Sequence, residues 1–146
     1  MNRRDFLKKT FFGAALASVF SKELFASWNE PAFKADSYEK AVQAVYGNQK
    51  LIPSDQITLD VPDMATNSST VPLTITSSLK NAESIALFVE KNKSPLTLQY
   101  NLKGKMLPYI STRIKMRETG NVYAVVTAGG KHYVTSKLVK VSAEAC

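Results

Sequence analysis

The chain reads as an all-β domain, an antiparallel β-sandwich with one short N-terminal helix. Three observations predict that class. From Gln56 onward apolar residues recur with period two, the pattern of strands with one buried face. The runs are short and are separated by turn-forming residues. No helical pattern is interleaved among them, so neighbouring strands pair antiparallel and bury their apolar faces against a second sheet.

The helix comes first. Asp36-Ser37-Tyr38-Glu39 has the spacing of a capping box, and Tyr38, Ala41, Val42, Val45 and Tyr46 follow at helical intervals before Gly47. The first strand sets Ile57, Leu59 and Val61 against Thr58 and Asp60, and the second sets Val71, Leu73 and Ile75 against Thr74 and Thr76. Pro72 has no N–H for a ladder, so the second strand is an edge or begins there. Further runs are 84–90, 96–102, 109–116, 122–128 and 132–141, with Leu96, Leu98, Tyr100 and Leu102 pointing inward. Val122-Tyr123-Ala124-Val125-Val126 is apolar on both faces, as a central strand would be. Turn chemistry separates these seven strands: Pro62-Asp63, Asn67-Ser68-Ser69, Lys80-Asn81, Asn92-Lys93-Ser94-Pro95, Lys103-Gly104-Lys105 and Thr119-Gly120-Asn121. Gly129-Gly130 suits a two-residue hairpin turn, because both positions can take positive φ without steric cost.

Ahead of the domain, Asn2-Arg3-Arg4-Asp5-Phe6-Leu7-Lys8-Lys9 precedes an apolar run from Thr10 to Phe20 and the small-residue exit Phe25-Ala26-Ser27. This is an export leader of the twin-arginine type, residues 1–26. Its apolar run is shorter than the roughly 20 residues of a membrane span, so cleavage near Ala26 and a soluble, periplasmic product are expected. Residues 27–55 then form an N-terminal segment with the helix, 56–141 the sandwich, and 142–146 a tail. Removing the leader takes away five of 19 basic and two of 12 acidic residues, leaving 14 against 10 and a net charge of +4 rather than +7. That disfavours a nucleic-acid partner and leaves a mild preference for anions. Twin-arginine export carries folded cargo, and the chain offers no cofactor ligand set, so a protein partner is the better expectation. A modest core without disulfides points the same way.

Cys146 is the single cysteine, at the end of Val139-Lys140-Val141-Ser142-Ala143-Glu144-Ala145-Cys146. A thiol there has little to pack against, so reactivity is the better reason for it. Ser142 to Cys146 can extend about 17 Å beyond a strand ending near Val141. A thiol on such an arm can enter the recessed sites of other proteins. Arg113, Lys115 and Arg117 alternate with Ile114 and Met116 and so share one strand face, a candidate docking surface for a partner or an anionic adduct, or else a solvated face. His132 is the single histidine; nothing in the sequence orients it toward Cys146, and it is read as an exposed strand residue. One His and one Cys make no metal site. Trp28, Phe33, Tyr38, Tyr46 and Leu51 are packing residues, against the sandwich or in a partner.

Several of these stretches together resemble the SoxY family, the sulfur-carrying subunits of the periplasmic thiosulfate-oxidising system. The likeness covers the leader, the helix, Ile57-Thr58-Leu59-Asp60-Val61-Pro62 and Asn92-Lys93-Ser94-Pro95. It is most specific at 111–119, Val122 to Val126, Gly130-Lys131-His132-Tyr133 and Val139-Lys140-Val141. The resemblance implies an immunoglobulin-like sandwich paired with a SoxZ-like subunit, with Cys146 as the point of covalent sulfur attachment. It further implies a c-type cytochrome that couples thiosulfate to the thiol, a hydrolase that releases sulfate, and a chain that is a substrate carrier rather than an enzyme, without a cofactor. The family's arm is typically Gly-Gly-Cys-Gly-Gly, whereas Ala143, Glu144 and Ala145 precede the cysteine here. This arm is expected to be stiffer and bulkier. Glu144 and a terminal carboxylate are expected to disfavour the thiolate and to repel a sulfur oxyanion. Two alternatives stand beside this reading: a partner-binding module whose odd cysteine merely dimerises the chain, and a carrier serving a different sulfur-transfer pathway.

Overall fold

The computed structural model describes residues 29–142, so the expected leader, Trp28 and Cys146 lie outside the described residues. Two short helices open this part of the chain. α1 (Glu30–Lys34) starts where the Asn29 side chain accepts the Ala32 N–H at 3.3 Å, with Pro31 in the first turn. α2 (Tyr38–Tyr46) is the expected helix, but its cap is Ser37, whose hydroxyl accepts the Lys40 N–H at 3.3 Å. Asp36 instead pairs with the Lys40 ammonium at 2.8 Å. Gly47 ends α2 at φ 63°, donating its N–H to Gln43 O.

Nine strands follow among the described residues: β1 (Leu51–Pro53), β2 (Ile57–Asp60), β3 (Met64–Ala65), β4 (Val71–Ser77), β5 (Ala82–Val89), β6 (Leu96–Asn101), β7 (Tyr109–Ile114), β8 (Gly120–Ala128) and β9 (Lys131–Val141). The larger sheet runs β1-β9-β8-β5-β6, with β3 also on β9, and the smaller runs β2-β4-β7. Both sheets are built on antiparallel ladders, as the short turns require. The sandwich is nonetheless not antiparallel throughout. β1 and β3, which the sequence pattern does not announce, both pair parallel to β9. They are three and two residues long, too short to show a period, and the 11-residue β9 supplies the edge that holds them. At the β8–β9 hairpin Gly129 and Gly130 take φ 59° and 74°, as the two-residue turn demands.

The main core lies between the sheets, with Leu73, Ile75 and Ile114 of the smaller sheet against Ile85, Leu87, Val122 and Val126 of the larger. A second, smaller core covers the other face of the larger sheet, where Ala32, Ala41 and Tyr46 of the helices meet Ala86, Phe88, Leu96 and Val125. β8 sits between β5 and β9 with both faces covered, which explains its unbroken apolar run. Of the expected packing residues, Phe33, Tyr38, Tyr46 and Leu51 are thus spent on the domain's own sheet. Tyr38 stacks on Tyr123 at 4.2 Å and meets Phe88 edge-on at 5.8 Å. Burial pushes the Tyr38 phenol up to about 12 and raises Tyr46 as well.

Two strand expectations resolve differently in detail. β4 is the middle strand of its sheet, yet β2 pairs with it only from Thr74, so Pro72 has a neighbour on one side alone and the strand begins beside it. On β6 the four inward residues do not share one face. A register shift at Leu87/Phe88 turns Leu96 toward the helices while Leu98 and Leu102 face the main core. Tyr100 is 54% exposed, in the open seam between β6 and β7 where no strand covers it.

Candidate functional site

The site is the end of the sandwich where β9 finishes, because the thiol-bearing tail leaves the domain there. The final turns of backbone are firmly held. Lys140 N–H donates to Asp63 O at 2.9 Å, and Ser142 N–H donates to Ala65 O at 3.1 Å, so β3 carries the ladder to the last described residue. From the other side Val141 N–H donates to the Thr119 hydroxyl at 2.9 Å. The loop that presents β3 is itself tied to β9 by Lys137, whose ammonium donates to Val61 O at 2.6 Å and pairs with Asp63 at 3.0 Å. Val139 and Ala65 are buried beneath this bracket. The bracket reduces the span available to the thiol: four residues follow Ser142, and covalent geometry limits them to about 14 Å.

The three predicted cations are exposed, with Ile114 and Met116 buried between them, so they do share one face. They do not share one site. Arg113 borders the β6–β7 seam with Leu98, Tyr100 and Ile110. Lys115 and Arg117 instead join Lys93, a residue that reads in the sequence only as part of a turn, around a recess of about 440 Å³. Asn92 builds this recess: its side-chain amide donates to Lys115 O at 2.7 Å and accepts the Arg117 N–H at 2.9 Å, extending the pairing past the end of β7. Met116 N–H donates to Ser68 O at 2.8 Å and closes the other wall. The recess and the root of the tail occupy the same end of the domain, since Thr119 lies two residues after Arg117, and Ala65 three before Ser68. A larger recess of about 660 Å³ lies elsewhere, between α2, β1 and the middle of β9, away from this chemistry.

His132 is at the opposite end of β9. Val141 lies nine positions further along the extended strand, roughly 30 Å at the rise of a β-strand, twice what the tail can span. A Cys146–His132 pair within one chain is therefore excluded. Nor is the ring an exposed strand residue as expected; it is half-buried under the turn that follows α2. Its Nδ1 hydrogen-bonds the Thr127 hydroxyl at 2.7 Å, Nε2 hydrogen-bonds the Gln49 side-chain oxygen, and Tyr46 packs on the ring at 4.4 Å. Burial lowers its pKa, and the nearby Glu83 opposes that shift. Among the described residues no group of three or more His, Cys, Asp or Glu side chains could hold a metal ion.

Comparison with known proteins bears on this architecture directly. The family described as sulfur oxidation protein SoxY matches residues 42–146. The chain belongs to the SoxY family. A solved structure of the sulfur carrier protein SoxY from Chlorobium limicola f thiosulfatophilum superposes with a TM-score of 0.66 at 34% identity, covering 71% of this chain and 94% of that one. The SoxY fold also resembles a superoxide reductase (neelaredoxin) from Ignicoccus hospitalis, with a TM-score of 0.56 over 63% of this chain and 95% of that one. At 11% identity that likeness concerns the fold alone. No curated protein sequence matches the chain. The match to SoxY runs through Cys146, the residue that the arm argument singles out.

Proposed function

We propose that this SoxY-family chain is a periplasmic carrier that holds thiosulfate-derived sulfur covalently on Cys146 and presents it to sulfur-oxidising enzymes, as one half of a complex with a SoxZ-like subunit. The supporting observation is the bracket on β9: Asp63, Ala65 and Thr119 hold the chain through Ser142, so the thiol lies a short tether from a rigid mount. Loading joins the thiol to thiosulfate with loss of one proton and two electrons, giving Cys–S–S–SO₃⁻, and a c-type cytochrome takes the electrons. Addition of water by a hydrolase then releases sulfate and two protons and leaves the persulfide Cys–S–S⁻. The carrier contributes position rather than catalysis. The 30 Å between His132 and the tail leaves Cys146 without that histidine as a general base.

Intact mass tests this. Protein from the periplasm of cells consuming thiosulfate, purified without reductant, is expected to carry mass increments of sulfur or sulfur oxyanions. They should vanish on reduction and be absent from Cys146→Ser. A free thiol, or only a disulfide-linked dimer, would overturn the carrier reading in favour of a partner-binding module.

A further inference from the structure

The basic recess beside the root of the tail touches the main core only at Met116. Lys93, Lys115 and Arg117 border it, and among the described residues no carboxylate lines it and none of the three is in an ion pair. Asn92 fixes the backbone of both Lys115 and Arg117, so two of the charges stand on a rigid rim rather than on a loose loop. Three cations without a carboxylate partner among the described residues, around about 440 Å³, make a seat for an anion of a few heavy atoms.

We propose that the occupant is this chain's own segment 143–146, with the sulfur-oxyanion group on Cys146 seated among the three cations between visits to partner enzymes. Resting on the carrier reading, this assigns the carried group a place of storage. Length permits it: the Val141 N–H bonds the Thr119 hydroxyl, which sets the two Cα atoms about 6 Å apart, and Thr119 is at most about 8 Å from Arg117, so the roughly 14 Å span of four residues, with the reach of the Cys146 and Arg117 side chains added, covers the path. Charge favours it too. Glu144 and the sulfonate each add a negative charge to the segment, opposite three positive ones, so the carboxylate that looks a liability beside a free thiol becomes a match for the recess. A seated adduct is shielded from soluble thiols. Arg113, on the seam side, takes no part.

The test compares two adducts of the full exported chain. Tetrathionate converts the thiolate to Cys–S–S–SO₃⁻ and releases thiosulfate. Methyl methanethiosulfonate converts it to neutral Cys–S–S–CH₃ and releases methanesulfinate. Amide NMR shifts of Ser69, Lys93, Lys115 and Arg117 should move with the first adduct and not with the second. The movement should disappear in Lys115→Gln/Arg117→Gln, in which removal of the anionic adduct by dithiothreitol becomes several-fold faster. Equal shifts with both adducts, or none with either, overturn the proposal, as does movement of these amides only when a partner protein is added. Loading by these reagents is ordinary thiol chemistry that succeeds whether or not the cell uses Cys146. A negative result here therefore counts against the seat alone, and the periplasmic mass measurement decides the carrier reading.

Discussion

Phe88→Ala asks whether the two helices belong to the same cooperative unit as the sandwich. Phe88 is 0% exposed and forms the centre of the helix-side core, edge-on to Tyr38 at 5.8 Å and tilted against Tyr46 at 6.3 Å. Truncating a buried phenylalanine to alanine costs about 3–5 kcal/mol, and the lost ring contact places this case in the upper half of that range. Against the 5–15 kcal/mol typical of a whole domain, about 4 kcal/mol would remove a large share of the stability. Urea unfolding followed by far-ultraviolet circular dichroism measures it. Leu87→Ala is the control: Leu87 is equally buried but faces the other sheet, and its loss costs about 2–5 kcal/mol. Both variants should lower the single unfolding midpoint, while only Phe88→Ala should alter the near-ultraviolet tyrosine signal of the Tyr38–Tyr123 stack. A loss below about 1 kcal/mol, or an early separate transition for the helices with the main midpoint unmoved, would refute a single unit built on Phe88.

At the root of the tail, Thr119→Val removes the hydroxyl that accepts the Val141 N–H, a bond worth about 0.5–1 kcal/mol at an exposed site. Amide exchange at Val141 should speed up two- to fivefold while β8 exchanges as before; unchanged protection would show that β3 alone holds the root. His132→Gln should flatten the pH dependence of stability. The folded pKa of His132 lies below its unfolded value, so the unfolded chain binds more protons and the wild type loses stability as pH falls from about 7 to 5. Equal losses in the two proteins would show that His132 is not the source. Glu144→Gln should accelerate modification of Cys146 by an anionic disulfide reagent about twofold at low salt and have less effect with a neutral one. Equal acceleration of both reagents would instead indicate a steric effect.

Local sequence carried most of the strand plan because each long strand obeys its own period. Leu73 and Ile75 alternate with Thr74, and β8 is apolar on both faces. The turn at Gly129-Gly130 was equally legible, since positive φ at two successive positions leaves few other residues. β1 and β3 were not, because two or three residues display no period and their pairing is to a strand about 80 residues away. His132 was misread for a related reason: its half-buried state depends on Gln49 and Tyr46, which the fold brings over the start of β9.

The amino-acid sequence by itself determined the class of the domain, the apolar faces of its strands and the candidate residue on its tail, because periodicity, turn chemistry and a lone thiol are local properties. Tertiary structure decided what lies near that tail. Arg113, Lys115 and Arg117 form one run in the sequence, yet pairing through Asn92 divides them, setting Lys115 and Arg117 beside Lys93 and leaving Arg113 on the seam. The bracket of Asp63, Ala65 and Thr119 around β9 likewise exists only once distant segments are paired. Hydrogen bonds between strands depend on register, and register is settled by the packing of both sheets rather than by any one stretch of chain.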